Sequence, residues 1–437
     1  MNPTLVDRDT FLQNLRSSKL LTTQQFRTVI DKLGQVQSPR EIAKALTSWK
    51  LVTKFQARML LQGRKSGFFI GPYRILDQLG QGGMGRVYKA MHQTMNRVVA
   101  LKVLSPKVVG SARAQELFLR EVQAAAQLSH PNIVMAFDAN ECDGRHFMSM
   151  EFVDGPNLEC HVLKSGALPI GLACEVIFQA ANGLHYAHGK GMVHRDIKPA
   201  NLLLAQEPLR NTIHVKILDF GLARLQCPEG GPSRTIVARE NTVMGTPDFV
   251  SPEQTKNLHD VDIRSDLYSL GCTFYFLLTG QVPFPGSNTV DKLIRQNADE
   301  PTPIEQRRRD VSAHVAGIIR KLMAKKPADR FQSPDELMDA LAPHAAPSVM
   351  DWPIATSAPS DRLSQENTDL GDDMQVATEP QAQSTTQIGE AESVLDWVEI
   401  CRRRRLVRRV LISSGVIGLG LLALGAVAAT AWATLGP

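Results

Sequence analysis

The sequence predicts an α+β domain of two lobes, preceded by a small all-helical module and followed by a tether and one membrane-spanning helix. Three observations predict this order. Between residues 73 and 342, strand-like runs come first and helical patterns follow, with one late strand-like exception at residues 213–218. Apolar residues recur at helical spacing before this region. A long apolar run without charge lies near the end of the sequence.

The predicted helical module occupies residues 1–65. Its apolar residues share helical faces; they are Phe11, Leu12 and Leu15 on one helix and Phe26, Val29, Ile30 and Leu33 on the next. Residues 38–41 read Ser-Pro-Arg-Glu, which predicts a capping box with proline at the first helical position. Thr53 predicts the start of the last helix and Gly63 its end. No catalytic pattern is present here, so we expect a packed module that docks partners.

A glycine-rich loop begins the two-lobed region. Residues 80–87 read Gly-Gln-Gly-Gly-Met-Gly-Arg-Val, the pattern G-x-G-x-x-G-x-V. Glycines let backbone N–H groups approach phosphate oxygens without interference from side chains. A plain turn or a dinucleotide-binding loop gives the same letters, but a dinucleotide loop is followed by a helix. Here the β-type residues 87–88 and 98–103 follow, which predicts a hairpin that covers phosphates.

Lys102 lies in the second of these strands. Val99, Leu101 and Val103 alternate around it, so Lys102 is predicted to point away from one buried face. An ammonium group there can pair with the α- and β-phosphates of a bound nucleotide, although a lone lysine in a strand is more often a solvated edge residue. Glu121, 19 residues later in an amphipathic helix, is the carboxylate predicted to hold Lys102. The alternative for Glu121 is an ordinary charge on a helix surface.

Two later motifs give the most specific signal. Residues 194–201 read His-Arg-Asp-Ile-Lys-Pro-Ala-Asn. In this loop Asp196 can orient an attacking hydroxyl and accept its proton, Lys198 can neutralise the transferring phosphoryl group, and Asn201 can bind Mg²⁺. Asp219 begins an Asp-Phe-Gly motif directly after a strand-like run. Its carboxylate is predicted to hold the Mg²⁺ or Mn²⁺ ion that bridges phosphate oxygens.

On these motifs, residues 73–342 resemble a eukaryotic-type (Hanks) serine/threonine protein kinase of the bacterial kind. Residues 245–247, Gly-Thr-Pro, and residues 251–253, Ser-Pro-Glu, look like the end of its activation segment, although the family usually has alanine where Ser251 stands. Lys198 is typical of the serine/threonine type. Residues 4–90 as a whole are similar to planctomycete-type kinases.

The resemblance implies a two-lobed protein kinase fold, with a β-rich N-lobe and a helical C-lobe, that transfers the γ-phosphate of ATP to Ser and Thr hydroxyls of protein substrates. It implies that Asp266 braces the catalytic loop and that Arg330 pairs with Glu253. It further implies that Glu151 and Val153 offer backbone groups to adenine, and that three apolar residues sandwich the ring. The nucleotide-binding residues so implied are Leu79, Gly80, Gln81, Gly82, Gly83, Met84, Gly85, Val87, Ala100, Lys102, Glu151, Val153 and Leu203, with Val87, Ala100 and Leu203 against the ring.

The C-terminal part of the sequence predicts a membrane anchor. Residues 343–400 are predicted to be an acidic disordered juxtamembrane linker, with eleven acids and one basic residue between positions 351 and 400. Residues 410–435 are 26 residues without charge, which is enough to span a bilayer of roughly 30 Å. A buried soluble helix is the alternative, but six arginines between residues 402 and 409 predict a cytoplasmic N-terminal side. We therefore expect a single-pass protein of the cell (inner) membrane with a cytoplasmic catalytic domain and no outer sensor domain.

Composition disfavours other classes. The net charge is +5, but without the arginine cluster the chain is near neutral and carries no basic stripe interleaved with aromatics, so no nucleic-acid partner is predicted. The six cysteines are scattered and form no C-x-x-C pair, which predicts neither a disulfide framework nor a zinc site. A reducing compartment fits this cysteine usage.

The last predictions concern the regulation of the protein and its alternative functions. Ser233, Thr235 and Thr242 lie between the Asp-Phe-Gly motif and Glu253 and are predicted autophosphorylation sites, where a phosphate would give the Arg195 guanidinium a bidentate partner. Anchored copies could self-associate and phosphorylate one another in trans. The alternatives are ordinary loop hydroxyls, a pseudokinase-like signalling scaffold, or an interaction protein built on the N-terminal helices. A pseudokinase would normally have lost one of the catalytic residues, and none is lost here.

Overall fold

The computed structural model describes residues 6–83, 85–106, 110, 112–207, 212–220, 247–256 and 261–345. The side chains of residues 112–114, 117, 121, 206 and 207 are not part of that description. Some predicted features therefore lie outside the described residues; they are Met84, the Glu121 side chain, Ser233, Thr235, Thr242, the linker from residue 346 onward and the span 410–435.

The N-terminal module contains four helices, α1 Arg8–Ser17, α2 Thr23–Leu33, α3 Pro39–Ser48 and α4 Lys54–Leu61. They enclose a small core whose central residues are Phe11, Leu15, Val29, Ile42, Leu46 and Leu60. Thr22 and Thr53 form complete capping boxes with Gln25 and Gln56. The box predicted at Ser38 is only half present, since among the described residues Ser38 caps the N–H of Glu41 but receives no return hydrogen bond from it.

The N-lobe is an antiparallel sheet of strands β1 Phe69–Ile70, β2 Tyr73–Gly82, β3 Gly85–His92, β4 Arg97–Leu104, β5 Ala136–Cys142 and β6 Arg145–Glu151, in the order β1-β2-β3-β4-β6-β5. Helix α5, Ala112–Ala126, packs on one face, where Phe118 and Val122 meet Ala100 and Leu104 of β4. The other face of the sheet has its own core, which includes Leu101. Because side chains alternate along a strand, Lys102 lies on the α5 side of β4.

The C-lobe is helical. Its helices are α6 Leu158–Ser165, α7 Ile170–Gly189, α8 Ile263–Thr279, α9 Thr289–Ala298, α10 Ile304–Arg307, α11 Ala313–Leu322 and α12 Pro334–Leu341. Helices α7 and α8 form its centre, and α8 is buried along most of its length because other elements surround it. The Asp262 side chain caps the first turn of α8.

A two-stranded sheet lies on the C-lobe beside the catalytic segments. Strand β7, Leu202–Glu207, pairs antiparallel with β8, Thr212–Ile217. The sequence predicted only the second of these strands. Strand β7 was missed because the short run Leu202–Leu204 has no alternating pattern, and its strand form depends on the pairing with β8.

The prediction of two lobes, a β-rich N-lobe followed by a helical C-lobe, is confirmed by this arrangement. Within the described part of the chain, no helix is both long enough and apolar enough to cross a membrane.

Candidate active site

The glycine-rich loop joins β2 to β3 at the edge of the cleft. Gly82 pairs with Gly85 across the hairpin. Gly85 has φ +146°, and a Cβ atom there would lie 2.0 Å from the carbonyl oxygen of Val103, so no other residue fits. A Cβ atom at Gly80, Gly82 or Gly83 would meet nothing within 4 Å. These three glycines therefore leave clear space next to their backbone N–H groups, as a phosphate-binding loop requires.

The apolar residues predicted to hold the adenine ring come from both lobes. Val87 is paired in register with Lys102, and Ala100 is paired with Met150 of β6. Leu203 lies on the C-lobe side, in β7, and is partly buried. Met150, buried in the same cluster as Ala100, was not indicated by the sequence because nothing distinguishes it there from other core methionines.

The segment between the lobes follows β6. The N–H of Glu151 donates to the carbonyl of Met135 at 2.9 Å, and the Glu151 carboxylate pairs with Lys216 at 2.9 Å. Of its two backbone groups, Glu151 therefore has only the carbonyl left to offer a base. Among the hydrogen bonds of the described residues, none uses the backbone of Val153. A Cβ atom at Gly155 would lie 1.7 Å from the carbonyl oxygen of Leu204, so the chain passes here directly against β7.

Lys102 and Asp219 meet across the cleft. The Nζ atom of Lys102 donates to Oδ2 of Asp219 at 2.7 Å, and the Lys102 side chain is almost fully buried. Asp219 has φ +61°, a left-handed conformation that is uncommon for residues other than glycine. The predicted partner Glu121 lies in α5, but its side chain falls outside the described residues.

The catalytic-loop carboxylate is held by its own segment. Nζ of Lys198 donates to both carboxylate oxygens of Asp196, at 3.0 and 2.8 Å. Nδ2 of Asn201 donates to Oδ2 of Asp196 at 2.9 Å and to its backbone carbonyl at 2.8 Å. The Asp196 side chain is nonetheless 43% exposed, so part of it remains accessible to a substrate.

The ring of His194 locks this loop to the end of β8. The N–H of Asp196 can only donate, so Nδ1 of His194 accepts from it at 3.2 Å. Nε2 of His194 then carries the proton and donates to the carbonyl of Leu218 at 2.6 Å. The same ring is packed edge-on against Phe220, with centroids 4.7 Å apart. His194 is thus a neutral structural link between the two motifs.

Asp266 of α8 holds the backbone of the catalytic loop. Its carboxylate accepts from the N–H groups of His194 at 2.8 Å and of Arg195 at 2.7 Å. Burial raises the pKa of Asp266, while the hydrogen bonds from the backbone N–H groups of His194 and Arg195 act in the opposite direction. Arg195 has φ +69°, so these two hydrogen bonds help to hold a strained backbone in place.

Gln254 makes a contact that the sequence did not indicate. Its Nε2 donates to the carbonyl of Arg195 at 2.7 Å, and its Oε1 accepts from the N–H and hydroxyl groups of Ser251, both at 3.0 Å. The Ser251 hydroxyl also contacts the hydroxyl of Ser265. Serine in place of the usual alanine is therefore satisfied although it is fully buried, and Gln254 joins it to the catalytic loop.

Glu253 and the buried Arg330 form a bidentate ion pair, with Nη1 to Oε1 at 2.6 Å and Nη2 to Oε2 at 2.8 Å. The Arg330 guanidinium also donates to the backbone carbonyls of Ala324, Lys325 and Arg264. Burial alone would raise the pKa of Glu253, but the hydrogen bonds and charge of Arg330 outweigh burial, so the pKa is lowered. The pair fastens the end of the activation segment to the C-lobe.

The donor set fits a hard divalent cation that is shared with phosphates. Asn201 uses its amide nitrogen toward Asp196, which leaves Oδ1 as an acceptor, and Asp219 uses Oδ2 toward Lys102, which leaves Oδ1. No group of three or more His, Cys, Asp or Glu side chains that could hold a metal by themselves occurs among the described residues. Two protein oxygens completed by substrate phosphates and water are the usual Mg²⁺ environment.

A continuous set of contacts connects the predicted catalytic residues. The N–H of Leu218 donates to the carbonyl of Asn201 at 2.9 Å, which places Asp219 beside the loop that holds Asp196. Lys102 reaches this assembly from the N-lobe through Asp219. The side chains of Asp196, Lys198, Asn201, Asp219 and Lys102, to which the sequence assigned catalytic, metal-binding and phosphate-binding roles, are thus gathered at one cleft. Such a cleft can position a hydroxyl and a nucleoside triphosphate for transfer.

Comparisons with known proteins agree with this geometry. The profile of the protein kinase domain matches residues 73–341, more than half of the chain. Over 263 residues the chain is 37% identical to serine/threonine-protein kinase pkn3 of Myxococcus xanthus, covering 59% of this chain and 47% of that protein. Over 288 residues it is 35% identical to serine/threonine-protein kinase PknB of Mycobacterium leprae, covering 64% and 44%. The matched region thus spans less than half the length of these relatives.

Solved structures give the same result. The crystal structure of the Mycobacterium tuberculosis PknI kinase domain superposes with a TM-score of 0.50 at 29% sequence identity. The superposition covers 64% of this chain and 98% of that domain.

Proposed function

Because this chain belongs to the protein kinase family, we propose that it transfers the γ-phosphate of ATP to Ser and Thr hydroxyls of proteins. The contact of Lys102 with Asp219, next to the Asp196–Lys198–Asn201 cluster, is the observation that carries this proposal. The serine/threonine specificity rests on Lys198 in the catalytic loop and on the names of the relatives pkn3 and PknB.

The catalytic loop acts on the protein substrate. Asp196 orients the attacking hydroxyl and accepts its proton, through the part of its side chain that remains accessible. Lys198 and Asn201 fix that carboxylate in one orientation before substrate arrives. Lys198 also places a positive charge where negative charge builds up on the transferring phosphoryl group.

The N-lobe and the Asp-Phe-Gly segment act on ATP. Lys102 binds the α- and β-phosphates, and the backbone N–H groups of the glycine-rich loop cover them. Val87, Ala100 and Leu203 hold the adenine ring, while the carbonyl of Glu151 and the backbone of Val153 supply polar contacts. Asn201 and Asp219 would hold Mg²⁺ or Mn²⁺, which neutralises charge on the β- and γ-phosphate oxygens when bound.

Location and control are further parts of the proposal. The apolar run 410–435 and the arginines before it support a single-pass anchor in the cell membrane with a cytoplasmic catalytic domain. Confinement to a membrane raises the effective concentration of copies, which favours self-association and phosphorylation in trans. Ser233, Thr235 and Thr242 are the hydroxyls we propose as acceptors.

A transfer assay tests the catalytic proposal. Purified full-length protein is incubated with Mg²⁺ and ATP that carries a radiolabelled γ-phosphate, together with a mixture of unstructured basic proteins. A kinase transfers label to protein, and the label resists chase by unlabelled ATP. A scaffold or an interaction protein binds its partners without transferring label, and that result would refute the catalytic proposal.

A further inference from the structure

The outer edge of strand β2 is where the helical module touches the N-lobe. Strand β1 pairs only with Tyr73 and Arg74 of β2. Directly after this point β2 has an irregular register, because Ile75 pairs with Ala90 and Asp77 pairs with Lys89, which leaves Leu76 as an extra residue. The N–H of Ile75 donates to the carbonyl of Phe68. The carbonyls of Ile75 and Leu76 therefore need partners from outside the sheet.

The capping box of α4 supplies these partners. Oε1 of Gln56 accepts from the N–H of Thr53 at 2.9 Å, and Nε2 of Gln56 donates to the carbonyl of Ile75 at 2.5 Å. Oγ1 of Thr53 accepts from the N–H of Gln56 at 3.1 Å and donates to the carbonyl of Leu76 at 2.6 Å. Each side chain therefore caps the helix with its acceptor and holds β2 with its donor. Gln56 is fully buried in doing so.

Apolar contacts reinforce this junction from both sides. Phe55 of α4 packs against the N-lobe core that contains Ile75 and Leu101. Phe68, just before β1, is buried in the core of the module. The Arg74 guanidinium donates to the carbonyl of Leu51 at 3.1 Å, so in this contact the N-lobe supplies the donor and the module the acceptor. The module is thus joined to the root of β2 by packing and by three hydrogen bonds.

Helix α2 shows that capping alone does not require these outward contacts. It has the same box, with the N–H of Thr22 donating to Oε1 of Gln25 at 2.9 Å and the N–H of Gln25 donating to Oγ1 of Thr22 at 3.2 Å. Both residues are exposed, and among the described residues neither side chain hydrogen-bonds beyond its own helix start. The side-chain donors of the α4 capping box bond to β2, whereas those of the α2 capping box do not. Helix α2 is therefore a matched control.

We propose that Thr53 and Gln56 are positioning residues that set the place of the glycine-rich loop over ATP, an inference that rests on the proposed kinase function. Gly80 lies four residues beyond Leu76, about 13 Å along an extended strand. Among the described residues, the one strand paired with β2 over that distance is β3, which is paired in turn with β4. Beyond Leu76, β2 is therefore paired on one side only, so its position also depends on how its root is held. The helical module therefore acts as a fixed support for the nucleotide-covering hairpin.

The test replaces donors and leaves acceptors in place. Gln56→Glu keeps an oxygen that caps the Thr53 N–H but loses the donor to the Ile75 carbonyl. Gln25→Glu makes the same change in α2. We expect Gln56→Glu to raise KM for ATP by roughly three- to tenfold, the scale set by one lost hydrogen bond. The KM for the protein substrate and kcat should stay close to wild type, and Gln25→Glu should change none of these values.

A second pair of variants keeps the test decisive if Gln56→Glu does not fold. Thr53→Asp retains a capping acceptor but has no hydroxyl to donate to Leu76, and Thr22→Asp is its control. Thr53→Ser retains the hydroxyl and should restore the wild-type KM for ATP. If the α4 variants lower Tm but leave KM for ATP equal to that of the α2 controls, the module only stabilises the fold and the inference is wrong.

Direct binding separates this inference from the proposed function. Calorimetric titration of full-length protein with Mg-ADP measures nucleotide affinity without phosphoryl transfer. We expect weaker Mg-ADP binding by Gln56→Glu or Thr53→Asp and unchanged binding by the α2 controls. A wild-type protein that binds Mg-ADP but transfers no phosphate would refute the kinase proposal alone. Equal Mg-ADP affinity in the α4 and α2 variants would refute the positioning role alone.

Discussion

Nζ of Lys102 lies 2.7 Å from Oδ2 of Asp219, so a lysine of the N-lobe sheet is paired with the carboxylate that follows β8 in the C-lobe. The pair joins two segments that are 117 residues apart in sequence. Both groups have a second task in the proposed reaction, because Lys102 would bind phosphates and Asp219 would bind a metal. The contact therefore brings phosphate and metal sites together.

Metal dependence follows from the oxygen donors left at Asn201 and Asp219. We expect phosphoryl transfer to stop in excess EDTA and to return on addition of Mg²⁺ or Mn²⁺, since hard oxygen ligands favour these ions. Asp219→Asn should require a higher free Mg²⁺ concentration for half-maximal rate. Initial rates measured against free metal at a fixed ATP concentration give both results. Transfer that continues in excess EDTA would contradict the assignment of these two residues.

The ion pair of Glu253 with the buried Arg330 predicts a pH-dependent stability. Glu253→Gln should lower the free energy of unfolding at neutral pH by about 3 kcal/mol, because it leaves a buried guanidinium without its counter-charge. The pKa of Glu253 is lowered in the folded state. Its contribution is therefore complete above the unfolded pKa and is lost as pH falls through the folded pKa.

Urea unfolding of wild type and Glu253→Gln, repeated from pH 7 downward, measures this difference. The gap between the two should begin to shrink below about pH 4.5, near the ordinary pKa of glutamate. The exposed Glu300→Gln is the control and should match wild type throughout. Equal stability of Glu253→Gln and wild type at pH 7 would show that the ion pair makes no net contribution to the free energy of unfolding.

Much of this architecture could be predicted from the sequence because it depends on local pattern. The order of strands and helices follows from periodicity, and the catalytic segments follow from short motifs whose spacing is restrictive. Gly85 is part of the glycine-rich motif that the sequence shows. The structure explains why glycine is required there, through its backbone conformation and its closeness to Val103. These features are set by residues that are near one another in the chain.

The features that were missed depend on partners distant in sequence. Strand β7 exists because β8 pairs with it. Gln254 looks like an ordinary polar residue until the fold brings it to the carbonyl of Arg195. The capping box of α4 was expected only as a helix start, and its hydrogen bonds to Ile75 and Leu76 become visible once β2 lies against it. Composition and periodicity contain no signal for such contacts.

Membrane attachment is tested by truncation. A version that ends at Ala342 lacks the tether and the apolar run 410–435, so we expect it to be soluble and active, while the full chain sediments with membranes. Detergent should release the full chain, and high salt should not. If the shortened protein still sediments with membranes, the anchor lies elsewhere in the chain.

Autophosphorylation is predicted at Thr242, Thr235 or Ser233. A phosphate in this segment can form charge-assisted hydrogen bonds to arginines such as Arg195, Arg234 or Arg239. We expect mass spectrometry of active protein to find phosphate there, and the double variant Thr235→Ala/Thr242→Ala to have lower specific activity. Unmodified hydroxyls in a fully active protein would end this hypothesis without affecting the kinase assignment.

The central claim is tested most directly by measuring transfer of radiolabelled γ-phosphate from ATP to protein by wild type and Asp196→Asn, followed by phosphoamino-acid analysis of the product. We predict label on serine and threonine with wild type, and a loss of roughly 10²- to 10⁴-fold with Asp196→Asn at an unchanged Tm, since the loop's hydrogen bonds to Asp266 remain. Lys102→Met should show a comparable loss, and the exposed turn variant Asp143→Asn should be fully active. Full activity in Asp196→Asn with a wild-type melting curve would contradict the account.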